Sequence, residues 1–303
     1  MSNYIKDEEI QNNQIKETIS ILCEEESYKN VIHGPHNNIA MPSVESLKEI
    51  VDLLREVIFP GYFGNSCVQL ETMQYYIGVS IDKIFNMLSE QIKRGFCFDI
   101  CDDSNKQCLD CEKNAKRVTS KFISALPLIR YLMSTDVKAS YNGDPAAKSF
   151  GEVIFCYPGI RAITNYRIAH ELLKLNVPLI PRIITEMAHS ETGIDIHPGA
   201  KIGEYFAIDH GTGTVIGETC IIGNNVKLYQ GVTLGAKSFP LDESGNPIKG
   251  INRHPIIEDN VVIYSEATIL GRIRIGKDSI IGANIWVTHD VPPGSTLTQS
   301  KKN

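Results

Sequence analysis

The chain has 303 residues, of which 42% are hydrophobic and 22% charged, with a formal net charge of -6; this is the composition of an ordinary globular protein with room for two domains. The acidic balance and the lack of a basic run argue against nucleic acid as a partner, and no window of eighteen apolar residues is present to span a membrane. The opening residues, MSNYIKDEEIQNNQIKE, are acidic and polar, unlike a secretory leader, so a cytosolic protein with eight reduced cysteines is expected.

Residues 1–40 are mostly polar and are expected to be flexible, apart from a short helix around Ile15–Cys23. A clear helix follows from Ser43 to Phe59. Val44, Leu47, Val51, Leu54 and Ile58 share one face, Ser43 is placed to cap the start, and Pro60-Gly61 ends it. The same periodicity predicts helices over 71–92, 112–133, 157–175 and 181–190. Pro127 is expected to kink the 112–133 helix, and Pro158-Gly159 opens the one at 157–175. Together they form an α-helical domain over residues 1–192.

Cys97, Cys101, Cys108 and Cys111 lie between two of these helices. Four thiols so close together suit a structural zinc ion or an iron–sulfur cluster. Only one half of the spacing follows a usual zinc pattern, and reduced thiols packed at a helix–helix turn are the plainer alternative. Cys23, Cys67, Cys156 and Cys220 read as small buried residues.

From 193 to 294 aliphatic residues recur every six positions: Ile196, Ile202 and Ile208, then Ile216, Ile222, Leu228 and Leu234, then Ile257, Ile263, Ile269, Ile275, Ile281 and Val287. Neither a helix nor a flat strand pair gives a strict six, whereas a hexapeptide β-helix does. Each hexad supplies one short strand and one corner, and three hexads close a triangular coil with the aliphatic residues inside. The fold class is therefore α+β, a helical front followed by a left-handed parallel β-helix. A loop at 235–256 interrupts the hexads, and 295–303 form a short tail.

Three polar clusters stand out in the coil: Asp195 in Ile194-Asp-Ile-His-Pro198, Asp209-His210 where the hexads slip by two, and Arg253-His254 near the end of the loop. Asp195 and His210 are fifteen residues apart, close to one coil, so they fall on neighbouring rungs. An imidazole oriented by a carboxylate is what a general base needs to take a hydroxyl proton near neutral pH.

Ser134 to Pro293 resembles the serine O-acetyltransferases of the hexapeptide-repeat acyltransferase superfamily. The resemblance is carried by Gly143-Asp-Pro-Ala146, Asp195-Ile-His-Pro, Asp209-His-Gly-Thr-Gly213, Val215-Ile-Gly-Glu-Thr219, Gln230-Gly-Val-Thr-Leu-Gly235 and Arg253-His-Pro255. It implies acetyl transfer from acetyl-CoA to the hydroxyl of L-serine for cysteine synthesis, with His210 as base and Asp195 orienting it. Asp144 and Asp209 match the residues that hold the serine ammonium, Arg253 matches the group pairing its carboxylate, and His254 completes the pocket. Gly235, Ala236, Ser265 and Ala283 match positions along the coenzyme, whose phosphates Lys237, Arg272, Arg274 and Lys277 could meet. No metal is implied for catalysis. A homotrimer or dimer of trimers is implied, with each site between adjacent subunits. Asn303 replaces the terminal isoleucine that docks relatives into cysteine synthase, so no such complex is expected. An acetyltransferase for a sugar hydroxyl, a zinc-dependent carbonic anhydrase-like coil and a non-catalytic scaffold are the competing readings. The sugar enzyme would keep His210 without needing Asp144, Asp209 and Arg253.

Overall fold

The computed structural model describes residues 2–33, 40–64, 68–100 and 105–299. It divides into two compact units, Met1–Ile39 and Ala40–Asn303. The first holds α1 (Ser2–Leu22) and α2 (Glu25–Tyr28). Its helix begins earlier than expected because the polar residues ahead of Ile15 include the good helix formers Lys, Glu and Gln.

The second unit opens with α3 (Val44–Ile58), α4 (Met73–Ile100), α5 (Asn105–Gly143), α6 (Phe150–Cys156), α7 (Pro158–Lys174) and α8 (Ile180–Thr192). The Ser43 hydroxyl accepts the Ser46 N–H at the start of α3, whose buried stripe is Leu47, Ile50, Val51, Leu54, Val57 and Ile58. Val44 stays exposed at the first turn. Ile84, Leu88 and Ile92 of α4 are buried, as are Val118, Phe122, Leu126 and Ile129 of α5. Each such side chain contributes about 1.5–3 kcal/mol through burial. Pro127 stands inside α5. Cys97 and Cys111 are buried, while Cys101 and the side chain of Cys108 lie outside the described residues, as do Cys67 and Asn303. No group of three metal-binding side chains occurs among the described residues. Cys220 is buried as expected, with its thiol pushed up to about 12 by burial. Cys23 and Cys156, expected inside, are exposed: Cys23 lies in the turn between α1 and α2, and Cys156 ends α6.

The coil comprises β1 (Asp195–Ile196), β2 (Lys201–Ile202), β3 (Ala207–Ile208), β4 (Val215–Ile216), β5 (Ile221–Ile222), β6 (Lys227–Leu228), β7 (Thr233–Gly235), β8 (Ile256–Ile257), β9 (Val262–Ile263), β10 (Thr268–Leu270), β11 (Arg274–Ile275), β12 (Ile280–Ile281), β13 (Trp286–Val287) and β14 (Thr296–Leu297). They stack into three parallel sheets: a first of β1-β4-β7-β10-β13, a second of β2-β5-β8-β11, and a third of β3-β6-β9-β12-β14. The hexad aliphatics pair rung on rung, Ile196 with Ile216, Ile216 with Leu234 and Ile269 with Val287. All are buried except Ile202, which is half-buried on the first coil.

Two of the three corner columns use left-handed backbone repeatedly. After the second sheet these are Tyr205, Asn225, Asn260 and Asp278; after the third they are Gly211, Gly231, Glu266 and Asn284. The corner between the first and second sheets uses it at Gly271, between β10 and β11.

A buried ion pair fastens the helices to the coil. The Arg167 guanidinium of α7 donates to both oxygens of Asp136 on α5, at 2.6 and 3.0 Å. It also donates to the Gly203 carbonyl at 2.8 Å, while Asp136 accepts the Phe206 N–H at 3.0 Å. Helices α5 and α7 and the turn from β2 to β3 thereby meet just before β3, the strand that leads into Asp209.

Candidate active site

The first group of site residues forms at the edge between the third and first sheets. Pro158 suits the first turn of α7, and Gly159 lets that turn approach β3 so closely that a Cβ would stand 2.4 Å from the Ile208 carbonyl oxygen. Tyr157, the N-cap, is thus set against the end of β3. Its hydroxyl donates to Asp144 Oδ2 at 2.5 Å, and the Ala146 N–H donates to Oδ1 at 2.8 Å. The Tyr157 bond, followed by the Ala146 bond, holds the Asp144 carboxyl below the usual carboxylate range. The same bond pushes the phenol up to about 12.

Asp209 follows β3 directly. Its Oδ2 lies 3.0 Å from the Lys227 ammonium, which also donates to the Gly143 carbonyl at 2.7 Å and stands 4.5 Å from the centre of the Tyr229 ring. Burial opposes the Lys227 charge, yet its bonds to Tyr229 and Asp209 leave its pKa raised. His210 occupies a left-handed position at φ 57°, with Nε2 3.9 Å from Asp209 Oδ1. Its side chain is 76% exposed. The backbone N–H of Asp195 donates to the Thr214 carbonyl, at the far end of the corner that carries His210. The structure thus brings Asp144, Asp209 and His210 together and stacks Asp195 beneath their corner. Among the described residues no hydrogen bond joins the Asp195 carboxylate to the imidazole.

The second group forms on the opposite edge, between the first and second sheets. The interrupting loop returns here, after a tight turn in which Asp242 accepts the Ser244 and Asn246 N–H groups. Arg253 donates to Glu218 Oε2 at 2.7 Å. His254 is only 7% exposed and packs against Gly217, where a Cβ would be 2.0 Å from its ring. Burial, then the neighbouring Arg253 charge, pushes the His254 imidazole down to about 4. Arg272, which could meet coenzyme phosphates, donates from Nη1 to the carbonyls of Thr219 and His254 at 2.7 and 3.0 Å. It pins the loop to the coil. His197 faces the same corner, its pKa lowered by burial and then by Arg182.

The four coenzyme positions divide in the same way. Ser265 and Ala283 follow β9 and β12 at the edge that carries His210, linked by the Asn284 N–H to the Ser265 carbonyl at 3.0 Å. Gly235 ends β7 and Ala236 follows it, at the edge that carries His254. Sequence reasoning missed Tyr157, Lys227, Glu218 and Thr219 as site neighbours. Only the last two stood in a motif it had singled out, and the others reach the site through the close approach of α7 and the register of β6.

No protein-family model matches this chain. A plasmid-encoded serine acetyltransferase of Synechococcus elongatus is 53% identical to it over 263 residues, covering 86% of this chain and 82% of the relative. Serine acetyltransferase 1 of Entamoeba histolytica, solved in complex with L-cysteine, superposes with a TM-score of 0.72 at 35% identity, covering 91% of this chain and 93% of that one. A serine acetyltransferase solved in complex with CoA superposes at 0.53 with 25% identity, covering 85% and 97%. The helical front and the left-handed parallel β-helix are common to these folds. The chain belongs to the serine acetyltransferase family, enzymes of the acyltransferase class.

Proposed function

We propose that this protein transfers acetyl from acetyl-CoA to the hydroxyl of L-serine, giving O-acetyl-L-serine and CoA for cysteine biosynthesis, at sites each shared by two chains of a homotrimer or of a dimer of trimers. The observation that carries this reading is the division of the site. One edge of the first sheet bears Asp144, Asp209 and His210 with Ser265 and Ala283. The other bears Arg253 and His254 with Gly235 and Ala236. Acceptor and coenzyme residues are split alike, so a threefold assembly that sets one edge against its partner's other edge completes both halves together.

In that assembly the carboxylates of Asp144 and Asp209 take the serine ammonium, and Arg253 takes its carboxylate with a planar fork. His210 accepts the serine hydroxyl proton as the oxygen attacks the thioester carbonyl carbon. Collapse of the tetrahedral intermediate breaks the carbon–sulfur bond, and the imidazolium returns its proton to the departing CoA sulfur. Asp195, stacked under the His210 corner, orients the ring once the neighbouring chain closes over it. Catalysis asks for no metal. The working division is a helical part at 1–192, the coil at 193–294 with its loop, and the tail. L-cysteine, which the Entamoeba relative binds, would compete with serine through the same ammonium and carboxylate contacts.

Thiol release from acetyl-CoA by purified protein tests the reading, with L-serine set against galactose and glucosamine and repeated with His210→Ala. Serine-dependent release that the variant loses supports both substrate and base. Release with a sugar alone overturns the substrate, and no release with any acceptor overturns the enzyme.

A further inference from the structure

His254 is held in a way that decides which of its nitrogens carries the proton. The backbone N–H of Thr219 donates to Nδ1 at 3.1 Å. The Thr219 hydroxyl oxygen lies 2.9 Å from the same nitrogen and already accepts the N–H groups of Arg253 and His254 at 2.9 and 3.1 Å. With its acceptor positions filled, the hydroxyl has its proton left to give to Nδ1. Two donors aimed at Nδ1 require a lone pair there, which puts the ring proton on Nε2.

We propose that Thr219 is a positioning residue for acyl transfer, fixing His254 as a neutral imidazole whose Nε2–H donates to an anionic oxygen of the reaction, either the acceptor's carboxylate or the thioester oxyanion. This rests on the serine acetyltransferase reading for the identity of the oxygen, but not for the tautomer. A histidine locked in this way cannot act as a base through Nε2, because that nitrogen has no free lone pair. It is a fixed donor, and proton removal is left to the exposed His210 on the other edge. The surroundings favour the neutral ring. Arg253 on its own loop, Arg272 beside β11 and His197 at the corner after β1 oppose a positive charge on the ring, and the carboxylate facing it among the described residues, Glu218, is already paired with Arg253. Gly217 completes the seat, since any side chain there would displace the ring.

The full-length protein tests this in two ways. With ¹⁵N-labelled histidine, the wild-type His254 is expected to show a protonated Nε2 and an unprotonated Nδ1 across neutral pH. In Thr219→Val its titration should move upward, toward the ordinary imidazole range. In thiol release, Thr219→Val is expected to lose about tenfold in kcat or in serine affinity, and Thr219→Ser to recover to within about threefold. His254→Gln, which keeps an N–H near the Nε2 position, should retain far more activity than His254→Ala, whose loss should be about 10²–10³-fold. A fall in kcat identifies the oxyanion as the partner and a rise in the serine KM identifies the carboxylate. Protonation on Nδ1 overturns the proposal, as does a Thr219→Val enzyme with an unchanged His254 titration. Glutamine and alanine variants that are equally inactive also overturn it. Because the tautomer is read without substrate, a protein that ignores serine would refute the substrate while leaving this test decisive.

Discussion

Asp136→Asn strikes the joint between helices and coil. The Asp136 side chain is fully buried and that of Arg167 is 4% exposed. The substitution keeps the shape but removes the charge opposite the guanidinium, leaving Arg167 one uncharged amide oxygen and the carbonyls of Gly203 and Ile202 to meet it. Breaking a buried pair from one side costs about 3–5 kcal/mol. At roughly 2–4 °C per kcal/mol for a unit of this size, Tm should fall by roughly 6–20 °C. Arg167→Met should cost a similar amount, because it strands the carboxylate. The double variant Asp136→Asn/Arg167→Met carries no stranded charge, and its amide oxygen still accepts the Phe206 N–H. It should therefore fall about 2–3 kcal/mol short of the sum of the single losses. Urea unfolding at one fixed protein concentration measures all of these, since assembly contributes to apparent stability. An Asp136→Asn protein within about 1 kcal/mol of wild type, or an additive double variant, would refute the claim that the pair acts as a charged joint.

Gly217→Ala places a methyl group inside the space of the His254 ring, so thiol release should fall at least about tenfold and urea unfolding should lose about 1–3 kcal/mol. Gly159→Ala meets the Ile208 backbone oxygen instead, so it should cost about 1–3 kcal/mol in urea unfolding and weaken serine binding by shifting Tyr157. Tyr157→Phe removes the main cause of the lowered Asp144 pKa. A depressed carboxyl stabilises the fold above its ordinary pKa and loses that contribution as pH falls through its folded value, so the variant should be less stable than wild type at neutral pH, the difference closing on acidification below pH ~4. His254, whose pKa is lowered to about 4, has the opposite charge logic. The unfolded chain binds its proton first, so stability should decline as pH drops from about 6.5 toward about 4, and His254→Gln should flatten that decline in a pH series of urea midpoints.

The coil was the most legible part of the sequence, because one inward aliphatic per six residues is a constraint that every rung repeats. The register slip at Asp209-His210 also marked the corner where the site forms. The helices were legible in kind but not in extent: α5 runs past its apolar stripe to Gly143, where Thr135 and Asp136 accept the N–H groups of Tyr205 and Phe206 beside the coil. The α6 helix, missed altogether, carried a readable signal in Ser149 and Glu152, whose capping contacts begin it. The contacts of the site were not legible. Tyr157 reaches Asp144 because Gly159 allows α7 to lie on β3, and Lys227 reaches Asp209 because β6 lies beside β3. Neither relation has a sequence spacing to betray it. The separation of His210 from Arg253 and His254 onto two edges is a property of the closed triangle, invisible along the chain.

That separation makes the most direct test a mixing experiment. His210→Ala and Arg253→Ala chains are purified, unfolded, refolded together in equal amounts, and assayed for serine-dependent thiol release. If each site joins one chain's His210 edge to its neighbour's Arg253 edge, random trimers should regain about a quarter of the wild-type sites although each parent is inactive. A mixture no more active than its parents would place the whole site within one chain and contradict the account.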